Sequence, residues 1–186
     1  MRVISGWAKG IKLVGVPGKS TRPITDRVKE ALFNILSTDV AGTTWLDLFG
    51  GTGAVGIEAL SRDAESVVFI EINYQAYKII NQNLKATELS DFATVHKMDA
   101  FNFLRGEPTQ AFDVIYNAPP QYQGIWVKAM QALDDNPGWL AENGTIIVQI
   151  HPKEYSDDIA YANFVEFDQR NYGDTRLVFY RRRSDE

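Results

Sequence analysis

The sequence predicts an α/β fold: a mostly parallel, doubly wound sheet of seven strands, closed at its end by an antiparallel pair and preceded by a small N-terminal β-hairpin. Three observations carry this. From Thr43 onward, short apolar runs alternate with amphipathic stretches, the pattern of right-handed βαβ units. The first of these runs ends in an acidic residue and a glycine-rich turn, Asp47-Leu48-Phe49-Gly50-Gly51-Thr52-Gly53. The last two β-like runs are separated only by Asn171-Tyr172-Gly173-Asp174, which reads as a hairpin turn.

Arg2–Trp7 and Ile11–Val16 read as two short strands around a turn at Ala8-Lys9-Gly10. Pro17-Gly18-Lys19-Ser20 is a loop. Thr25 or Asp26 caps a helix whose Val28, Leu32, Ile35 and Leu36 fall on one face. Strands are expected at Trp45–Phe49, Ser66–Ile70, Ala93–His96, Phe112–Tyr116 and Thr145–Ile150. Helical patterns lie between them at Val55–Ser61, Tyr74–Glu88, Ala100–Leu104 and Gly124–Asp135. Asn163–Arg170 and Thr175–Arg182 form the closing pair. The expected division is an extension over residues 1–24 and a main domain over residues 25–186.

With 186 residues, 45% of them hydrophobic, the chain can bury one ordinary core. No apolar run approaches the roughly 18 residues of a membrane span, and no signal-peptide pattern follows Met1. Cysteine is absent, which excludes disulfides and thiolate metal sites, and His96 and His151 are too few for a zinc cluster. No metal is expected; a cytoplasmic monomer with no membrane partner is. The net charge of −5 is unevenly spread. Residues 1–30 carry seven basic against two acidic side chains, and residues 31–180 carry nine basic against twenty acidic. Such a basic segment on an acidic body either grips phosphates or is a solvated face.

The glycine turn offers two cofactors. Gly51-x-Gly53-x-x-Gly56, with Glu71 twenty residues after its first glycine, also fits the dinucleotide fingerprint. A pyrophosphate on that turn would be repelled by Asp47 just before it. S-adenosylmethionine instead brings an ammonium for Asp47 and a carboxylate for the N–H groups around Gly50, Gly51 and Gly53. Glu71 then accepts from the ribose hydroxyls, and Asp99 with the Ala100 N–H meets the adenine. Taken singly, Glu71 reads as a surface carboxylate and Asp99 as a helix cap. Their joint order at successive strand ends favours S-adenosylmethionine over NAD.

The run Phe112–Tyr116 leads into Asn117-Ala118-Pro119-Pro120-Gln121-Tyr122. Two prolines at a strand end make a stiff, extended segment with free carbonyls. Those acceptors suit a planar exocyclic amine, whose delocalised lone pair must be turned toward a methyl donor. A flipped or unpaired base would then stack on an aromatic ring.

With these residues in place, the chain resembles the bacterial RsmD-like small-subunit (16S) ribosomal RNA guanine-N2 methyltransferase family. The likeness runs through the hairpin, Thr21-Arg22-Pro23-Ile24-Thr25-Asp26-Arg27-Val28-Lys29-Glu30-Ala31-Leu32-Phe33-Asn34, the glycine turn, Glu58-Ala59-Leu60-Ser61-Arg62 and Tyr172-Gly173-Asp174-Thr175. It implies a class I, Rossmann-like methyltransferase fold, S-adenosylmethionine as cofactor, and ribosomal RNA or the assembling small subunit as partner. The family pattern of Asp or Asn, Pro-Pro, then Tyr or Phe reads Ala118-Pro119-Pro120-Gln121 here. Asn117 and Tyr122 stand one step outside that register, and a one-residue shift along a strand points a side chain to the opposite face. Asn117, Pro119 and Pro120 are the expected catalytic set, with Tyr122 as stacking ring. Three outcomes stay open: an active enzyme using these displaced residues or backbone carbonyls, a different RNA target, and a non-catalytic S-adenosylmethionine- or RNA-binding homologue.

The resemblance also places the N-terminal segment at the RNA entrance. Arg22, Arg27 and Lys29 are the phosphate candidates, with Lys9 and Lys12 on the hairpin; Arg27 could instead pair with Asp26 or Glu30 on its own helix. Trp7, Trp45, Trp126 and Trp139 are expected to pack, and both histidines to be structural. Arg181–Arg183 read equally as RNA contacts or as a solvated tail.

Overall fold

The computed structural model describes residues 1–18 and 23–184. The strands are β1 Thr44–Asp47, β2 Ser66–Ile70, β3 Ala93–His96, β4 Phe112–Asn117, β5 Leu140–Ile150, β6 Phe164–Tyr172 and β7 Thr175–Arg182. The helices are α1 Asp26–Leu36, α2 Ala54–Ser61, α3 Tyr74–Ala86, α4 Ala100–Arg105 and α5 Ile125–Asp135. Thr25 is the α1 cap, its side chain accepting from the Val28 N–H. The strands form one sheet in the order β3-β2-β1-β4-β5-β7-β6. β1 to β5 pair in parallel, and β7 pairs antiparallel with both β5 and β6. The sheet, mostly parallel with an antiparallel close, is the expected one.

Strand alternation sorts the core into two layers. Trp45, Phe69, Val114, Tyr116, Ile147 and Phe179 pack on one face with α1, α2, α3 and residues Val3, Ala8 and Leu13. Leu46, Ile70, Ile115, Val148 and Val178 pack on the other with α4 and α5. The order reverses between β1 and β4, and a doubly wound sheet opens a crevice at the carboxyl ends of its strands there.

The N-terminal hairpin is shorter than the sequence pattern implies. In place of two strands there is one antiparallel bridge, Arg2 with Lys12, flanked by Val3 N–H to Ile11 O and Leu13 N–H to Met1 O. The segment also turns several backbone groups to the body. Ile4 and Ser5 N–H groups donate to Glu58 at 2.9 and 3.1 Å, Ala8 N–H donates to Ser61 Oγ, and Val14 exchanges two bonds with Asn83. Trp7 does not pack: it is 83% exposed, and its indole N–H donates to Asp63. The other three tryptophans are buried.

Candidate active site

A cavity of about 800 Å³ opens at the ends of β1, β2 and β4, where the sheet order reverses. Asp47, Gly50, Gly51, Thr52 and Glu71 form one side, and Tyr116, Ala118, Pro119, Pro120 and Gln149 another. Val16, Pro17, Pro23 and Ile24 close it from the N-terminal segment.

Asp47 is 2% exposed, and its Oδ1 has no hydrogen-bond partner. Burial pushes its pKa up to about 7; the nearby Glu71 charge adds to the rise, and the Phe49 N–H opposes it. An orphaned, buried carboxylate oxygen on a cavity wall is a site for a cation, and the ammonium of S-adenosylmethionine is one. Glu71 takes the Gly51 N–H on one oxygen and the Asn73 N–H on the other, each at 2.9 Å. The turn therefore locks its acidic residue in place, and a carboxylate oxygen holding one N–H retains a lone pair for a hydroxyl. Asn83, fully buried, donates to Thr52 O and Val14 O and so ties the turn to the N-terminal segment. The residues present fit S-adenosylmethionine.

The glycines divide their roles. Gly50 and Gly51 border the cavity. Gly53 does not; it starts α2 in the left-handed region (φ 80°), and a Cβ there would stand 3.3 Å from both Ile57 and Ile80. Asp99 and Ala100 are also outside the cavity lining. Asp99 Oδ1 accepts from the Phe101 and Asn102 N–H groups at 2.6 and 3.2 Å, so the structure uses it as the α4 cap.

Two further residues lie elsewhere than the sequence suggests. Asn117 is fully buried, absent from the cavity wall, and donates through Nδ2 to Trp126 O at 3.2 Å. It faces the α4–α5 layer because it is one residue out of step with Tyr116 and Ala118, which face the cavity layer. Its Oδ1 is buried without a hydrogen-bond partner, and Asn117 is not among the residues that line the cavity. Asn117→Ala is expected to cost about 1 kcal/mol of stability and to leave the methyl-transfer rate per folded molecule within about twofold; urea unfolding with a single-turnover assay checks this. Lys29 is fully buried, 3.2 Å from Glu58 and 2.7 Å from Arg2 O, and cannot meet a phosphate. Arg22 lies outside the described residues, and Arg27 is exposed.

Pro119, Pro120 and Tyr122 line the cavity. Tyr122 is 62% exposed at its mouth, its N–H held by Glu154 and its ring 5.5 Å from that of His151. His151 also caps a short 3₁₀ turn at Pro152–Glu154, which gives it a structural role. Arg182 and Arg183 donate to carbonyls of Pro137, Leu140 and Tyr161, and Arg181 lies over Phe167, so this run is held against the body. The sequence reading missed Tyr116 and Gln149, whose hydroxyl and amide are bonded to each other in the cavity wall. The available signal was a lone polar residue, Gln149, inside the apolar run Ile146–Ile150. Among the described residues no group of three or more His, Asp or Glu side chains is placed to hold a metal, and no helix is long and apolar enough to cross a membrane.

The family described as "Conserved hypothetical protein 95" matches residues 1–181. "Putative rRNA methyltransferase YlbH" of Bacillus subtilis (strain 168) is 38% identical over 185 residues, which are 98% of this chain and 100% of that protein. "Ribosomal RNA small subunit methyltransferase D" of Escherichia coli (strain K12) is 36% identical over 149 residues, 80% of this chain and 74% of that one. The solved structure of "Putative methyltransferase yhhF from Escherichia coli" has a TM-score of 0.84 at 33% identity, covering 100% of this chain and 99% of that one. A class I methyltransferase sheet, an acidic strand end before a glycine turn and this sequence likeness converge: the chain belongs to the Conserved hypothetical protein 95 family, the RsmD-like group.

Proposed function

We propose that this protein methylates N2 of a guanine in small-subunit ribosomal RNA, using S-adenosylmethionine, and that it works as a cytoplasmic monomer on RNA or on the assembling subunit. The observation that supports the cofactor half is Asp47, a buried carboxylate with an unpartnered oxygen beside the glycine turn. The names of the curated relatives support the ribosomal RNA half.

When bound, S-adenosylmethionine supplies a methyl group on a sulfonium that leaves as a neutral thioether, the methyl carbon passing to an amine nitrogen that then loses a proton. The chain supplies the rest. Asp47 would balance the ammonium, Gly50 and Gly51 let the carboxylate approach, and Glu71 would accept from the ribose. Pro119 and Pro120 stiffen the wall beside the target base, and the Ala118 and Pro119 carbonyls are acceptors for its amine. Tyr122, exposed at the mouth, is the ring on which that base would stack. In this reading residues 1–24 are an extension, of which Val16, Pro17, Pro23 and Ile24 line the cavity, and residues 25–186 are the methyltransferase domain.

Single-turnover transfer from labelled S-adenosylmethionine tests this, with small ribosomal subunits and free RNA from cells lacking the protein. Label mapped to a guanine N2 is the expected result. Cofactor binding without label on either substrate would overturn it in favour of a non-catalytic role. Arg27, exposed on α1, is the remaining described arginine among the phosphate candidates. Arg27→Ala is expected to weaken RNA binding and to reduce the slope of log affinity against log salt by about one ion; an unchanged slope removes it from the interface.

A further inference from the structure

We propose that Gln149 reads the amino group of the target base and that Tyr116 positions it. The inference rests on the amino-methyltransferase reading above and names the side chain that reading lacks.

An exocyclic amine is a poor nucleophile until acceptors hold its hydrogens and turn its lone pair out of the ring plane. After Tyr116, the end of β4 puts no polar side chain on the cavity wall at Asn117 or Ala118. Ala118 lies on the cavity wall but has no polar atom, and Asn117 points to the opposite layer. The acceptor stands one strand over. β4 and β5 run parallel with Tyr116 opposite Ile147 and Asn117 opposite Val148. One step further brings Gln149 beside Ala118. Alternation puts both on the face of Tyr116 and Ile147, and both line the cavity.

Tyr116 fixes the amide. Its hydroxyl donates to Gln149 Oε1. Burial, and secondarily the Asp47 charge, push the Tyr116 pKa above that of an ordinary phenol, so the hydroxyl keeps the proton it needs to donate. With the hydroxyl as donor, the amide oxygen is the end that Tyr116 holds. The bond uses one lone pair of Oε1 and leaves the second, along with two N–H donors on Nε2. An amide presenting O and N–H side by side matches an amine flanked by a ring-nitrogen acceptor, as a bidentate pair. On guanine those partners are N2–H and N3. Gln149 therefore touches the reacting group, while Tyr116 acts through Gln149 and is a positioning residue.

The test uses the full chain, small ribosomal subunits from cells lacking the protein, and S-adenosylhomocysteine as binding probe. Gln149→Leu is expected to keep S-adenosylhomocysteine affinity within about twofold and to slow single-turnover transfer about 100-fold. Tyr116→Phe should slow it about tenfold, and the double variant should be no slower than Gln149→Leu if Tyr116 acts through Gln149. Ala118→Asn in the Gln149→Leu background should recover at least tenfold, since it returns an acceptor to the same face. Should the leucine variant not fold, the near-isosteric Gln149→Glu carries the test, with a loss of about tenfold from the missing N–H donor. Wild-type rates in Gln149→Leu or Gln149→Glu, or multiplying losses in the double variant, would overturn the proposal and leave the methyltransferase reading standing. Absence of guanine-N2 label with the wild-type protein would overturn both.

Discussion

Asp47→Asn is expected to abolish the pH dependence of cofactor binding and, with the same atom change, to stabilise the free protein at alkaline pH. The folded pKa of Asp47 stands near 7 against 3.8 for an ordinary aspartate. For an acid with a raised folded pKa, the folded state holds the proton more tightly than the unfolded one. The stabilisation from that proton is complete below about pH 3.8 and is lost as pH rises through about 7. Above that, the ionised carboxylate costs the free protein a few kcal/mol, on the order of 2–4. The variant should therefore gain on the wild type between pH 5 and pH 8, and urea unfolding at the two pH values measures the difference. Binding has the opposite sign. A cationic ammonium needs the carboxylate ionised, so wild-type affinity for S-adenosylhomocysteine should rise toward about tenfold per pH unit below 7 and level off above it. In Asp47→Asn the profile should be flat, with affinity at pH 8 lower by about 30-fold. A flat wild-type profile, or unchanged affinity in the variant, would remove Asp47 from the cofactor site.

Lys29→Met is expected to destabilise the protein by about 3–5 kcal/mol and to leave the salt slope of RNA binding unchanged. Lys29 and Glu58 are both fully buried. Glu58 also holds the Ile4 and Ser5 N–H groups and Arg62 Nε, so its charge is the knot that ties the N-terminal segment to α2. Removing the ammonium leaves that carboxylate buried with one cation, Arg62, in place of two. A second substitution, Glu58→Leu, does not rescue it, because two backbone N–H groups then lose their acceptor. The same segment supplies Val16, Pro17, Pro23 and Ile24 to the cavity wall, so cofactor affinity should fall with stability. Urea unfolding and salt titrations of RNA binding check both halves. A loss of one ion from the slope would return Lys29 to the phosphate-binding surface.

These two residues show where sequence reasoning reaches and where it stops. Asp47 was legible because its chemistry is local: an apolar strand, a carboxylate and a glycine turn sit in consecutive positions. Lys29 was not. As one base among seven in thirty residues it looked like a surface charge, and only the approach of Glu58, twenty-nine positions later, accounts for its burial. Asp99 illustrates a third case, in which the side chain at a strand end also caps the next helix, its Oδ1 holding the first N–H groups of α4.

The order of strands and helices, the antiparallel close and the acidic glycine turn were determined by the sequence itself, because hydrophobic period and turn chemistry are properties of neighbouring residues. Which face Asn117 shows, which side chain stands beside Ala118, and which charges are buried were decided only in the tertiary structure. A strand's faces acquire meaning when a layer packs on each. Gln149 joins Ala118 only through the β4–β5 register. A buried charge is tolerated only where a distant partner arrives to meet it.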